Sequence, residues 1–141
     1  LSTFSDCSEL PATELSKIVA GSWVYGTFST WIGDRDKNRG WDMLIEAKQV
    51  YDNWINNLSA EQQQRATRQL AICEGSDWFW WFGDYNHSDS VRDFDGLYRL
   101  HLAHLYHELQ QPVPENLTYA LSVGNDNAAN IGTMRKSNEV K

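Results

Sequence analysis

Residues 66–85 read ATRQLAICEGSDWFWWFGDY, and the fold turns on whether they form one helix or two. Ala66, Leu70 and Cys73 recur at three- and four-residue steps, the spacing that lines one helix face. Heptad steps from Leu70 and Cys73 put Asp77 and Trp80 on the same face. Gly83 then supplies a stop after an unbroken aromatic run from Trp78 to Phe82. The spacing therefore predicts one helix over 60–82, opened by a Ser59/Gln62 capping box, with Asp77 standing where an apolar residue is due.

Upstream, Trp41, Leu44, Ile45, Tyr51 and Ile55 set a helix over 36–57, with Asp34 or Asp36 to cap it and Asn56-Asn57 to break it. Gly40 inside that helix costs about 1 kcal/mol relative to alanine. Downstream, the stretch His87 to Ser90 offers caps for a third helix over 90–111, whose apolar face includes Val91, Phe94, Tyr98, Leu102 and Leu105. Pro112 and Pro114 stop it. Three helices joined by two short connections predict an all-α fold, a three-helix antiparallel bundle over residues 34–115.

Residues 1–33 show no sustained period and carry Pro11, Gly21, Gly26 and Gly33, so apart from a short helix over Pro11 to Ala20 they are expected to form a long loop. Trp23, Tyr25, Phe28 and Trp31 make it an aromatic loop that must pack on the bundle. Residues 116–141, Asn-rich past Gly124, are expected to be a mobile polar tail.

The chain has 141 residues, 41% hydrophobic and 13% aromatic, enough for one domain with a core. Asp and Glu number 19 against 12 Lys and Arg, a net charge of -7 that repels phosphate and argues against a nucleic-acid partner. No apolar run is long enough for a membrane span, and no basic-then-apolar leader opens the chain. Cys7 and Cys73 are too few and too far apart for a disulfide framework or a zinc motif, so free thiols and a cytoplasmic location are expected. A start on Leu1 rather than Met points to a piece of something longer. His101, His104 and Glu108 share one side of the third helix, but no His-Glu-x-x-His and no second cluster accompany them, so neither metal nor cofactor is expected.

On a continuous helix, Glu74 neighbours Asp77 and Trp78, and Asp77 neighbours Trp80 and Trp81, gathering two carboxylates and several indoles. Two roles for Asp77 stay open. It can accept a hydrogen bond from a tryptophan N–H or cap a helix, as buried polar groups do. Alternatively it serves a sugar site, where indole faces stack on a pyranose and carboxylates accept its hydroxyls. A glycosidase pair on adjacent turns is disfavoured, because both groups approach the scissile bond from the same side.

The stretches GSWVYGTFSTWIGDRDKNRGWDML (Gly21 to Leu44) and EGSDWFWWFGDYNHSDSVRDFDGLYRLHLAHLY (Glu74 to Tyr106) resemble the C-terminal helical domain of glycoside hydrolase family 57. That family includes α-amylases, amylopullulanases, 4-α-glucanotransferases and branching enzymes. The resemblance covers residues 20–115 or so and rests on Gly-Ser-Trp, Phe-x-x-Trp-Ile-Gly, Glu-Gly-Ser-Asp-Trp and Phe-Asp-x-Leu-x-Arg, in that order. It implies an upstream incomplete β/α barrel carrying the catalytic Glu nucleophile and Asp acid/base, with the helical domain closing one side of an α-glucan cleft. Matched motif by motif, it places Trp23, Trp31, Glu74, Ser76, Asp77 and Trp78 at that cleft and leaves Trp80, Trp81 and Phe82 to the core. It also makes Asp95 and Arg99 candidates for a buried tie. A barrel needs about 200 residues or more of alternating strand and helix, which this sequence lacks, so no catalytic residue is expected in this chain. The competing expectation is a stand-alone acidic helical module that presents its aromatic loop to a protein partner.

Overall fold

The computed structural model describes residue 3, residues 5–8 and residues 10–128; the tail beyond 128 lies outside the described residues. Among those described the chain is all-α, with no strand. Helix α1 spans Arg35–Trp54, α2 Ala60–Cys73, the single-turn α3 Asp77–Trp81, and α4 Ser88–Glu108. Short 3-10 turns occupy Ser5–Cys7, Ile55–Asn57 and Glu115–Thr118.

Local chemistry sets the starts. Asp34 accepts the Asp36 N–H at 2.9 Å and opens α1. Ser59 and Gln62 form the reciprocal capping box that opens α2. His87 accepts the Asp89 N–H through Nδ1 at 3.3 Å and opens α4. Contacts fix the directions: Tyr51 meets Thr67 at 2.7 Å, while Arg65 reaches Glu108 at 3.0 Å and Gln69 donates to the His101 carbonyl at 2.8 Å. Successive long helices therefore run antiparallel, as the spacing predicts.

The expected helix over 60–82 is a correction. Helix α2 stops at Cys73, Glu74 to Ser76 form a connection, and α3 begins afresh at Asp77. Gly75 weakens the helix at the break, and the Trp78 indole reaches back to donate to the Ile72 carbonyl at 2.8 Å, beside the Gly75 N–H that the same carbonyl accepts at 3.3 Å. The break turns the register, so Phe79 and Phe82 enter the core at 0% exposure while Asp77 faces water. Asp77 is thus not on the apolar stripe. A second correction concerns Pro11 to Ala20, which form no helix and lie exposed.

Gly40 explains its own propensity cost. A Cβ there would stand 3.1 Å from the Phe82 ring and 3.2 Å from Phe79, so its absence lets α3 lie directly on α1. Next to it Trp41 stacks on Phe79 with centroids 3.6 Å apart and planes 4° from parallel. The Tyr98 hydroxyl donates to the Gly40 carbonyl at 2.9 Å, and buried Lys37 donates to the Phe79 carbonyl beneath Tyr85.

After α4 the chain returns to the bundle. Leu117 and Leu121 are buried, so the packed domain reaches beyond residue 115, where the polar tail was expected to begin. The hold is a buried ion pair: Asp95, 1% exposed, takes Arg99 Nη2 at 2.8 Å and Nε at 3.1 Å, and accepts the Leu121 N–H at 2.9 Å. Arg99 also donates to the Leu117 carbonyl at 3.0 Å. Ser122 then accepts the Gly83 N–H and donates to Asp36, each at 2.9 Å.

Removing one partner of a buried, hydrogen-bonded pair strands the other charge, so Asp95→Ala is expected to cost about 3–5 kcal/mol in urea unfolding. Arg92→Ala, which breaks only exposed pairs with Asp89 and Asp93, should cost less than about 1 kcal/mol. Equal midpoint shifts would contradict the burial argument. Burial also pushes the Cys73 thiol from 9.0 to about 12 and raises Tyr98 in the same sense. A raised folded-state pKa contributes stability that is fully present below pH 9.0 and lost as pH climbs from there towards about 12. At pH 8 a thiol reagent should therefore modify exposed Cys7 and spare Cys73, and alkaline titration should free the second thiol as the fold opens.

Candidate functional site

The loop that carries Trp23 is shaped by its first two residues. A Cβ on Gly21 would fall 2.4 Å from the Gly26 carbonyl oxygen, so only glycine permits the closure. Ser22 accepts the Val24 N–H at 3.1 Å and lies against the carbonyls of Val24 and Thr27. Tyr25 and Gly26 complete the turn at φ 55° and 66°. Val24 anchors it at 2% exposure, while Trp23 stands 76% exposed.

Trp23 does not project idly. Its ring stacks on Trp80 at 6.3 Å and 21°, and Trp31 meets Trp80 edge-on at 5.7 Å and 62°. The Trp41 indole N–H donates to the Trp31 carbonyl at 2.9 Å, which fixes the loop to α1. The Trp31 indole N–H is covered and has no acceptor among the described residues.

These side chains enclose an almost wholly apolar groove of about 430 Å³, walled by Trp23, Phe28, Trp31, Ile32 and Trp41, with Ser22 and Ser76 also on its lining. Three sequence-predicted residues, Trp23, Trp31 and Ser76, are therefore brought together. Glu74 is placed elsewhere. It lines a second groove of about 390 Å³ along α1, with Trp41, Leu44, Ile45, Lys48 and Gln49. Trp41 is a wall of both.

Asp77 lines neither groove. It is exposed at the start of α3, directly after Ser76, with no hydrogen bond or ion pair among the described residues. The structure thus does not seat Asp77 as an acceptor for an indole. Trp78 turns the other way, packing against Phe94, Tyr98 and His101 at 6.3, 5.7 and 5.5 Å. Its place is between α3 and α4, apart from the groove that Trp23 and Trp31 line. Trp80 moves in the opposite sense, from expected core to the aromatic support beneath Trp23 and Trp31. Phe82 is core, and Trp81 stacks on Phe94 at 4.4 Å and 9°.

Trp41 and Trp80 are the residues that sequence reasoning left out. Periodicity read both as stripe positions, and only the Gly40 notch, which brings the two helices close, hinted that Trp41 sits at a junction.

Charge at the second groove is moderate. Lys48 binds Asp52 at 2.6 Å, a hydrogen bond that raises the ammonium pKa, with Glu74 adding to the effect. No group of three or more His, Cys, Asp or Glu among the described residues could hold a metal ion. His101 meets Gln69 at 3.1 Å, and His104 meets Glu108 at 3.4 Å.

The arrangement can therefore bind by stacking and hydrogen bonding. Glu74 and Asp77 line no common groove, so they form no acid and nucleophile pair across one bond. No family model, no curated protein and no solved structure matches the chain.

Because Asp77 has no partner to lose, Asp77→Asn should leave the urea midpoint within about 0.5 kcal/mol of the parent chain. A large drop would show that the carboxylate ties the fold together.

Proposed function

We propose that the chain is the helical part of an α-glucan-active enzyme of the glycoside hydrolase family 57 kind, its aromatic groove forming one wall of a saccharide cleft. The catalytic carboxylates would then lie on a β/α barrel outside these 141 residues, and the chain alone would bind sugar without turning it over. One observation carries the reading. Trp23, Trp31 and Ser76, named by three separate motifs of the resemblance, line a single groove. Indole walls match the apolar C–H faces of a pyranose, and a hydroxyl at the rim can exchange hydrogen bonds with the ring substituents. Asp77, exposed and unpartnered beside Ser76, is free to hold a sugar hydroxyl or to orient a residue of the barrel. A neutral ligand also suits a chain of net charge -7, whereas a phosphorylated one does not.

The alternative, a protein-interaction module, draws on a different feature. Leu15, Ile18 and Val19 are 70–80% exposed on the extended segment that leads into the aromatic loop, the kind of apolar surface a protein partner covers.

A titration of the 141-residue chain with maltoheptaose separates the two. The indole N–H resonances of Trp23, Trp31 and Trp41 should shift while that of Trp54, exposed at the far end of α1, stays fixed. Trp23→Ala should weaken the response, and no new reducing ends should form. Absence of any indole shift at millimolar sugar would sink the saccharide reading and favour the module.

A further inference from the structure

We infer that the aromatic groove binds a trimethylammonium cation, carried by a small soluble molecule of the choline type. This does not rest on the saccharide reading, since it follows from the charge distribution of the groove and its surroundings.

Ring faces are the first support. An aromatic ring is negative on its faces, and a cation within about 6 Å of the ring centroid is attracted to it. Trp23 lays one face against Trp80 and is 76% exposed, which leaves its other face open. Trp41 gives one face to Phe79 at 3.6 Å and lines the groove, where Phe28 and Trp31 supply two further rings. The Trp41 indole donates to the Trp31 carbonyl, so these rings are seated before any ligand arrives and binding adds little ordering cost.

The composition of the lining is the second. Apart from the four rings it holds Ile32 and the hydroxyls of Ser22 and Ser76, with no Lys, Arg or His. Ser22 already accepts the Val24 N–H and donates to a loop carbonyl. A bare ammonium carries three N–H donors, more than such a lining satisfies. A trimethylammonium keeps the full positive charge, has no N–H to satisfy, and presents methyl groups that leave water favourably against apolar walls.

The field is the third. A net charge of -7 draws cations towards the chain. Asp42, directly after Trp41, and Asp77, directly after Ser76, are exposed, and neither carboxylate makes a hydrogen bond or ion pair among the described residues. Two lining residues are thus each followed in the chain by an uncompensated negative charge. At about 430 Å³ the groove is of the size that takes a free small molecule.

The test compares choline with 3,3-dimethyl-1-butanol, a neutral molecule of the same shape with carbon in place of nitrogen, and with ethanolamine, which has a bare ammonium. Each is titrated into the 141-residue chain while the Trp23 and Trp31 indole N–H resonances are followed. Choline should bind about tenfold or more tighter than either of the others. Trp23→Leu keeps an apolar wall but removes a ring face, and should bring choline down to the affinity of the neutral alcohol. Asp77→Asn should weaken choline about two- to threefold and leave the alcohol unchanged, and added salt should act in the same sense. Both side chains are exposed, so the urea midpoint should confirm that the fold is intact. Absence of choline binding, equal binding of choline and the alcohol, or choline affinity that survives Trp23→Leu would overturn the inference. A trimethyllysine peptide that binds tighter than choline would overturn the small-molecule source and assign the head group to a protein tail. Maltoheptaose is titrated separately, so either the cation or the saccharide reading can fall while the other stands.

Discussion

The Asp95 carboxylate is almost wholly removed from water, and the closure of the chain over α3 and α4 follows from how its charge is satisfied. One oxygen is held by Arg99 on the next turn of α4, and the other accepts a backbone N–H from Leu121, 26 residues further on. Such a pair gains its stability from complete hydrogen bonding, since the attraction alone barely offsets desolvation. Completeness requires the return segment. Once Leu121 is in place, Ser122 bridges the Gly83 backbone and Asp36, and the end of α3, the start of α1 and the middle of α4 are tied together. Helix α3, a five-residue turn that could not persist alone, owes its position to this closure and to Phe79 and Phe82 in the core.

The local parts of the fold were legible because their chemistry is local. Caps act over two or three residues, so Asp34, Ser59 with Gln62, and the His87 turn could be read directly, and long apolar periods gave α1, α2 and α4. The break at Glu74 to Ser76 was not legible, since the heptad pattern runs through it without interruption. What decides against a continuous helix is the Trp78 indole taking the Ile72 carbonyl and α4 receiving Phe79 and Phe82, and neither contact has a signature in spacing. The return segment was missed for a similar reason. Its two leucines are too few to form a pattern, and the carboxylate that holds it lies far back in the chain.

At the candidate site the same division holds. Trp23, Trp31 and Ser76 were named through motifs and do meet. Trp41 and Trp80 were hidden because an indole on an apolar stripe reads as core, and only the Gly40 notch places them under the loop. Trp78 and Asp77 share one helical turn yet part company, one against α4 and one in water, because a turn of five residues points its side chains in every direction.

Trp23 and Trp80 lie 6.3 Å apart and 21° from parallel, close enough for their electronic transitions to couple. The aromatic loop consequently carries its own optical signature, distinct from the amide absorption that reports helix content. Circular dichroism can thus register the lifting of Trp23 from its platform while the bundle beneath remains folded, so docking of the loop and folding of the domain become separately observable in one spectrum.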